Sequence, residues 1–191
     1  MPTIEGAYAK HKNLKLAANE LGIPWQTLYV QLKAAGVPVV GDKLRYGSDR
    51  DKLAAKAESQ FRELVPTAVY MNEKTWQSKW DFEVGSLKID VKASMPRQLN
   101  KKYPAKSWSF SFKKQRLLCD FIICFCYGEE KETPIVLAVP AEFFQGLQTI
   151  SVSCAGYSKW LDYAIDASEL NAFLLSANDA MGADHVRQQP Q

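Results

Sequence analysis

The sequence predicts an α/β (α+β) fold, in which a mixed sheet is flanked by helices and preceded by a small helical domain. Three observations lead to this prediction. Apolar and aromatic residues make up 47% of the 191 residues, which is enough for a core. Apolar residues recur at helical spacing over 11–36 and again over 50–65. Short strand-like apolar runs follow near 67–71, 79–85, 86–93, 107–113, 119–127 and 134–139.

The rest of the chain continues this alternation. Helical signals lie at 141–147, 157–164 and 168–176, around a short strand near 149–154. Gly and Pro residues between 37 and 48 predict a linker. We therefore expect domains at 1–45 and 46–178, followed by a polar tail at 179–191. No apolar run approaches the about 18 residues of a membrane span, and no secretory signal is recognisable, so a cytoplasmic protein is expected.

The N-terminal helices carry a specific pattern. Four apolar positions at helical spacing predict a first helix, which ends at Gly22. These positions are Leu14, Ala17, Ala18 and Leu21. A second helix follows Pro24 and is expected to bury two leucines, Leu28 and Leu32.

Residues 14–36 are similar to the helix-turn-helix of Fis-type and related bacterial DNA-binding domains. The resemblance implies that the second helix contacts DNA. Gln and Thr can hydrogen-bond base edges, and Lys can reach phosphate. The alternative is a helical hairpin used for protein contact or dimerisation. The side chains expected to be exposed for DNA binding are Trp25, Gln26, Thr27, Tyr29, Val30 and Lys33.

Charge is distributed unevenly along the chain. The net charge of +3 conceals a value of +6 over 51–120 and of −6 over 121–191. No acid occurs between Val91 and Cys119, a stretch with eight bases. This pattern favours a polyanionic partner, although a solvated basic loop that binds nothing would look the same. We assign phosphate contacts in this stretch to Arg97, Lys101, Lys102, Lys113 and Lys114.

The four cysteines do not have metal-ligand spacing. No CxxC occurs, and His11 and His185 lie near the two ends of the chain. Three of the cysteines fall in or beside an apolar strand-like run at 119–127. We interpret the cysteines as buried, reduced thiols.

The stretch 80–94 predicts two strands joined at Gly85-Ser86. Strand alternation places Asp81 and Glu83 on the polar face of the first strand. Two carboxylates and a lysine can then meet across adjacent strands, although the solvated face of an ordinary hairpin would show the same pattern. The polar face of the second strand carries Lys88, Asp90 and Lys92. The apolar faces carry Trp80, Phe82 and Val84 in the first strand and Leu87, Ile89 and Val91 in the second.

Such a group suits phosphodiester hydrolysis. Asp81 and Asp90 can hold a divalent cation, which neutralises the phosphate and stabilises the leaving oxygen. The backbone carbonyl of Val91 is a candidate third ligand. Lys92 can position the attacking water, help to deprotonate it, or contact the phosphate.

The arrangement Asp81, eight residues, then Asp90-Val91-Lys92 resembles the motif of the PD-(D/E)XK nuclease superfamily, which includes restriction and homing endonucleases and resolvases. The proline that often precedes the first Asp is replaced by Trp80. The resemblance implies a restriction-endonuclease-like sheet over about 50–165, and Mg²⁺ as cofactor with Mn²⁺ as substitute.

The resemblance also implies an acidic residue on the preceding helix and a Gln or Lys after the motif. Glu58 lies at the edge of the apolar stripe of that helix, whereas Glu63 points to solvent, so we choose Glu58 as a further ligand. Gln115 is the candidate for the second position.

The function predicted from these residues is a Mg²⁺-dependent endonuclease of double-stranded DNA, sequence-specific and of the restriction or homing type. One metal site per chain cuts one strand, so cleavage of both strands implies a dimer or sequential nicking, and a homodimer is expected. Two alternatives remain open: a non-catalytic DNA-binding regulator, and a junction-resolving or RNA-processing nuclease.

Overall fold

The computed structural model describes residues 2–37, 39, 47–71, 78–98, 104–112, 118–128 and 133–187, the last six as backbone only. The chain divides into two units. The first lies within Met1–Lys52, and the second comprises Leu53–Met71 with Ser78–Gln191. Each unit has its own core, so each is described by itself.

The first unit contains the helices α1 (Ile4–His11), α2 (Leu14–Leu21) and α3 (Trp25–Ala34). The sequence predicted α2 and α3, and both are confirmed; α1 was not predicted. Thr3 caps α1 by accepting from the Gly6 N–H, and Asn13 caps α2 by accepting from the Leu16 N–H. The core of this unit consists of Ala7, Tyr8, Ala17, Ala18, Leu28, Leu32 and Val39.

The α2–α3 turn depends on Gly22, whose φ of +65° lies in the left-handed region. The Ile23 N–H then donates to the Ala18 carbonyl at 3.1 Å, which closes the end of α2. Ala18 itself is buried in the core that α2 and α3 share, as predicted.

The second unit is built around a six-stranded sheet and a three-stranded sheet. The helix α4 (Asp49–Leu64), which belongs to this unit from Leu53 onward, precedes the strands, and α5 (Leu170–Arg187) follows them. The strands are β1 (Val69–Tyr70), β2 (Phe82–Val84), β3 (Leu87–Ser94), β4 (Arg97–Gln98), β5 (Lys106–Ser111), β6 (Phe121–Cys126), β7 (Ile135–Pro140), β8 (Thr149–Ser153) and β9 (Ala164–Ile165).

The large sheet has the order β1-β2-β3-β6-β7-β9, and the small sheet has the order β4-β5-β8. β3 and β6 run parallel, and the other neighbours run antiparallel. The predicted mixed sheet flanked by helices is therefore confirmed.

The large sheet is covered on both faces. One face packs against α4 and α5, and the residues in this core include Phe61, Phe82, Ile89, Ile123 and Leu174. On the other face, β6 and β7 pack against the inner side of the small sheet, and the residues in this second core include Ile122, Cys124, Leu137, Trp108 and Ile150. The central strands are consequently apolar on both faces, which explains the unbroken run at 121–126.

Several elements differ from the sequence prediction. The helical signals at 141–147 and 157–164 correspond to 3-10 turns at Ala141–Phe144 and Lys159–Tyr163. The last helix runs to Arg187 instead of ending near 176, so the first part of the predicted polar tail is helical. None of the helices in the described ranges has the length and apolar character of a bilayer span.

The start of the hairpin also differs. β2 begins at Phe82, so Trp80 precedes the strand and does not follow its alternation. Trp80 packs in the second core, away from Phe82 and Val84, and its indole N–H donates to Glu83 at 3.0 Å.

Candidate metal centre and nucleic-acid interface

The site is organised by the β2–β3 hairpin. Phe82 pairs with Ile89, and the turn passes through Gly85 at a φ of +61°. The Asp81 N–H donates to the Ile89 carbonyl at 2.9 Å, which continues the pairing beyond β2. Asp81 therefore lies across from Asp90 on β3, and the meeting of the two carboxylates predicted from the sequence is observed.

The backbone holds Asp81 in place. Its Oδ2 accepts from the Val91 N–H at 2.8 Å, and its carbonyl accepts from the Met71 N–H at 2.9 Å. Since Val91 follows Asp90 directly, this hydrogen bond fixes the Asp81 carboxylate beside the carboxylate of Asp90. The role of the Val91 carbonyl as a third ligand remains a prediction.

Asp90 is buried, with 1% of its surface exposed. It lies beside Ile122 of β6, on the face of the large sheet that packs against the small sheet. Lys92 Nζ contacts Asp90 Oδ2 as an ion pair. Apart from Lys92 and the neighbouring Asp81 carboxylate, no group among the described residues hydrogen-bonds to either carboxylate oxygen of Asp90. A buried carboxylate with so few polar partners is costly, which marks Asp90 as a candidate functional group.

The environment shifts the proton affinities of both groups. Burial raises the pKa of Asp90 to about 7; the Asp81 charge adds to this rise, whereas Lys92 opposes it. For Lys92, burial lowers the pKa, but attraction to Asp90 and Asp81 outweighs burial, and the net change in its pKa is upward. Lys92 is therefore an ammonium ion at neutral pH and presents a positive charge to the site.

The donor set fits a hard divalent cation. Carboxylate oxygens are the ligands that Mg²⁺ prefers, and the buried carboxylate of Asp90 lies beside that of Asp81. Across the described part of the chain, no group of three or more His, Cys, Asp or Glu side chains has a metal-binding arrangement. A cation held here by Asp81 and Asp90 would complete its shell with backbone carbonyls, water or phosphate.

Glu58 is placed on the predicted side of α4. Its side chain is half-buried and accepts from the Tyr70 hydroxyl at 2.7 Å, whereas Glu63 is exposed. The structure does not join Glu58 to Asp81 and Asp90 as a three-carboxylate group, so its role as a ligand remains a prediction.

Asp120 was missed by the sequence analysis. Its Oδ2 accepts from the Lys88 N–H at 2.7 Å, and its own N–H donates to the Lys88 carbonyl at 2.7 Å. These bonds align the start of β6 with β3, the strand that carries Asp90 and Lys92. An isolated acid directly before the apolar run at 121–126 was the available signal.

The cysteines lie as predicted, with one exception. Cys119, Cys124 and Cys126 are buried, but Cys154 is exposed, because it follows the end of β8. No disulfide joins the four cysteines, all of which are among the described residues. Burial, and to a smaller extent the charge of Asp90, raises the pKa of the Cys119 thiol to about 12, so Cys119 stays protonated.

The outer face of α3 has the predicted exposure. Leu28 and Leu32 are fully buried, and Lys33 Nζ lies 5.9 Å from the centre of the Tyr29 ring. The exposed side chains are Trp25, Gln26, Thr27, Tyr29, Val30 and Lys33. Their contact with DNA remains a prediction.

Of the proposed phosphate contacts, Arg97 is described: it is exposed on β4, where it pairs with Ser107. The candidate site residue Gln115 lies outside the described residues. The other proposed phosphate contacts also lie outside them: Lys101, Lys102, Lys113 and Lys114.

Comparison with known proteins shows a likeness to solved structures. No protein-family profile matches the chain, and no curated protein matches it. A solved structure of a bacterial homing endonuclease, I-Ssp6803I, is similar over 69% of this chain and 95% of its own length, with 15% sequence identity and a TM-score of 0.46. At this level the likeness carries no functional conclusion, and the site is interpreted from its own geometry.

Proposed function

We propose that the protein is a metal-dependent endonuclease that hydrolyses phosphodiester bonds in double-stranded DNA. The observation that carries the proposal is the buried Asp90, whose polar contacts among the described residues are the carboxylate of Asp81 and the ammonium group of Lys92. A buried pair of neighbouring carboxylates is typical of a functional site.

Each residue has a distinct task in this proposal. Asp81 and Asp90 hold the cation, and the bond from the Val91 N–H keeps the Asp81 carboxylate in position. A bound Mg²⁺ supplies positive charge for the phosphate and the leaving oxygen. Lys92 remains protonated, so it binds the scissile phosphate or orients the attacking water rather than removing a proton from it.

The choice of DNA rests on charge and on α3. The stretch from Val91 to Cys119 has eight bases and no acid, and α3 exposes polar and aromatic side chains beside Lys33. In this proposal α2 and α3 act as a helix-turn-helix, with α3 in the major groove. Since each chain has one site, cleavage of both strands requires a dimer or two successive nicks.

The test is cleavage of supercoiled plasmid and genomic DNA in Mg²⁺, in Mn²⁺ and in EDTA, followed by sequencing of the ends. We expect cleavage in either metal and none in EDTA. Asp81→Asn, Asp90→Asn and Lys92→Ala should each reduce cleavage by at least about 10²-fold, in line with the loss of a group that stabilises transition-state charge.

Matched controls exist on the same unit. Lys159→Ala removes an exposed lysine, and Asp162→Asn removes an exposed carboxylate; both should cut like the wild type. Undiminished cutting by purified Asp90→Asn protein would refute the site. Sequence-selective DNA binding without cleavage in any metal would favour a non-catalytic regulator, and cleavage confined to junctions or RNA would favour the other alternative.

A further inference from the structure

The β5–β8 ribbon of the small sheet has an outer face made of hydroxyl groups. Directly opposed residues of an antiparallel pair share a face. The register therefore places three pairs of hydroxyl side chains together, and the alternate residues, which include Trp108 and Val152, are buried on the inner face. The pairs that form this hydroxyl face are Ser107 with Ser153, Ser109 with Ser151, and Ser111 with Thr149.

The composition of the hydroxyl face is unusual for a solvated surface. Exposed faces of soluble proteins usually mix charges of both signs. The described strands carry no carboxylate on this face, and their one charged side chain there is Arg97, which pairs with Ser107 and is exposed. Hydroxyl groups both donate and accept hydrogen bonds, so they can contact phosphate oxygens and base edges without opposing the charge of DNA.

The shape of the ribbon suits a DNA groove. Neighbouring strands lie about 4.8 Å apart, and the major groove of B-DNA, about 12 Å wide, admits a two-stranded ribbon. β4 extends over only Arg97–Gln98, so it flanks the ribbon at one end. Towards the other end, Ser111, Thr149 and Ser151 are exposed.

The ribbon is also tied to the strand that carries the candidate metal site. The Ser109 N–H donates to Ser94 Oγ at 3.0 Å. Ser94 lies on β3, two residues after Lys92 and on the same face by strand alternation. DNA bound on the ribbon would therefore be held by an element bonded directly to that strand.

From these contacts we infer that the hydroxyl face of β5–β8 is a binding surface for duplex DNA, with Arg97 contacting phosphate at its end. This inference rests on the proposed function. The contacts that it assigns are additional to those proposed for α3 and for the lysines outside the described residues.

The test changes the charge of the face at two exposed positions in the full-length protein. Ser111→Glu with Ser151→Glu should weaken binding to a DNA duplex by at least about tenfold, because two carboxylates then oppose phosphate. Ser111→Lys with Ser151→Lys should bind at least as tightly as the wild type and show a steeper salt dependence. Binding is measured in Ca²⁺, and plasmid cleavage in Mg²⁺ is measured in parallel.

The matched control places the same two charges elsewhere. Thr133→Glu with Ser176→Glu changes two exposed hydroxyl residues outside the ribbon, and this variant should bind like the wild type. Equal affinity of the wild type, the Glu pair and the Lys pair would overturn the inference, even if the wild type cuts DNA. If the Glu pair fails to fold, a loss of DNA affinity in the Lys pair would also overturn the inference.

Two further outcomes distinguish a failure of this inference from a failure of the proposed function. A wild type that neither binds nor cuts DNA would refute the proposed function and the inference together. A change in oligomeric state of the Glu pair, seen by sedimentation at unchanged DNA affinity, would identify the face as a contact between copies of the chain and would also overturn the inference.

Discussion

At the scale of single residues, the carboxyl group of Asp90 is buried, and burial raises its pKa to about 7. Among the described residues, its polar contacts are limited to Lys92 and the neighbouring Asp81. The ionised form of Asp90 therefore opposes folding, while the Lys92 ammonium limits this cost. Functional sites often contain a charged group that lowers the stability of the folded protein.

The first prediction concerns the stability of Asp90→Asn. A raised carboxyl pKa contributes stability that is fully present below the unfolded value of 3.8 and is lost as pH rises through about 7. A difference of about three pKa units corresponds to about 4 kcal/mol. The amide of the variant does not ionise, so at about pH 8 the variant should be more stable than the wild type by about 1–4 kcal/mol, and the difference should vanish below about pH 4.

Urea unfolding at the two pH values measures this difference. Lys92 remains in place in both proteins but loses its ion-pair partner in the variant, so the measured difference is the cost of the buried carboxylate charge less the stabilisation from that ion pair. A variant that is less stable than the wild type at the higher pH would show that the ion pair with Lys92 is structural.

The second prediction concerns metal binding without catalysis. A cation that binds only the folded state raises the melting temperature. Mg²⁺ or Ca²⁺ should therefore raise the melting temperature of the wild type and of the control Asp162→Asn, and should leave that of Asp90→Asn unchanged. Thermal unfolding with and without each metal provides the measurement, and an equal rise in all three proteins would place the cation elsewhere.

At the scale of elements, α5 supports the β2–β3 turn. Asn178 Oδ1 accepts from the Ser86 N–H at 2.8 Å and from Ser86 Oγ at 3.0 Å. Gly85 has a φ of +61°, and a Cβ at this position would lie 2.4 Å from Asn178 Oδ1. The hairpin that aligns Asp81 with Asp90 is thus fitted to this helix.

The third prediction follows from that fit. Gly85→Ala adds left-handed strain and a clash with Asn178, so it should cost about 2–4 kcal/mol of stability. Gly156→Ala, at a φ of +84° with open space around its Cβ, should cost only the strain, about 1–2 kcal/mol. In Gly85→Ala with Asn178→Ala, the relieved clash should make the combined loss smaller than the sum of the single losses. Chemical denaturation of Gly85→Ala, Asn178→Ala, their double variant and Gly156→Ala measures the coupling, and strict additivity would contradict the contact.

The fourth prediction distinguishes two carboxylates on α4. Glu58 is half-buried beside Tyr70 and Glu63 is exposed, so Glu58→Gln should reduce metal-dependent cleavage and Glu63→Gln should not. Comparing cleavage rates over a range of Mg²⁺ concentrations tests this. If Glu58 contributes to the metal site, its variant should need more Mg²⁺; if Glu63→Gln had the larger effect, the assignment from the helical face would be wrong.

At the scale of the whole molecule, each of the two units has a core of its own. The first unit buries Leu28 and Leu32, and the second buries residues on both faces of the large sheet. The proposed DNA recognition by α3 belongs to the first unit. The proposed metal-dependent cleavage belongs to the second unit, which contains Asp81, Asp90 and Lys92.

The fifth prediction is that the second unit folds and cuts without the first. A fragment of residues 46–191 should unfold cooperatively and keep metal-dependent nicking at low salt, while its affinity and sequence preference for DNA should fall. Circular dichroism, plasmid nicking and binding to cognate and scrambled duplexes measure these properties. A molten or insoluble fragment would show that the two units depend on one another for folding.

The sequence by itself determined the local features. Alternation in a strand has a period of two, so the spacing alone placed Asp90 and Lys92 on one face of β3. Helical spacing in the same way predicted that α3 buries Leu28 and Leu32. The turn at Gly85-Ser86 brought Asp81 across from Asp90, because a short hairpin also fixes its register.

Only the tertiary structure decided which faces are buried and which distant residues meet. Alternation cannot say whether the polar face of a strand is solvated; the small sheet packs on the face that carries Asp90, and the resulting burial raises its pKa. Asp120 on the neighbouring strand, Asn178 on α5 and the pairing of Ser109 with Ser151 depend on contacts between segments far apart in the chain. The physical reason is that periodicity records only the local backbone geometry, whereas burial and partners depend on how separate elements pack.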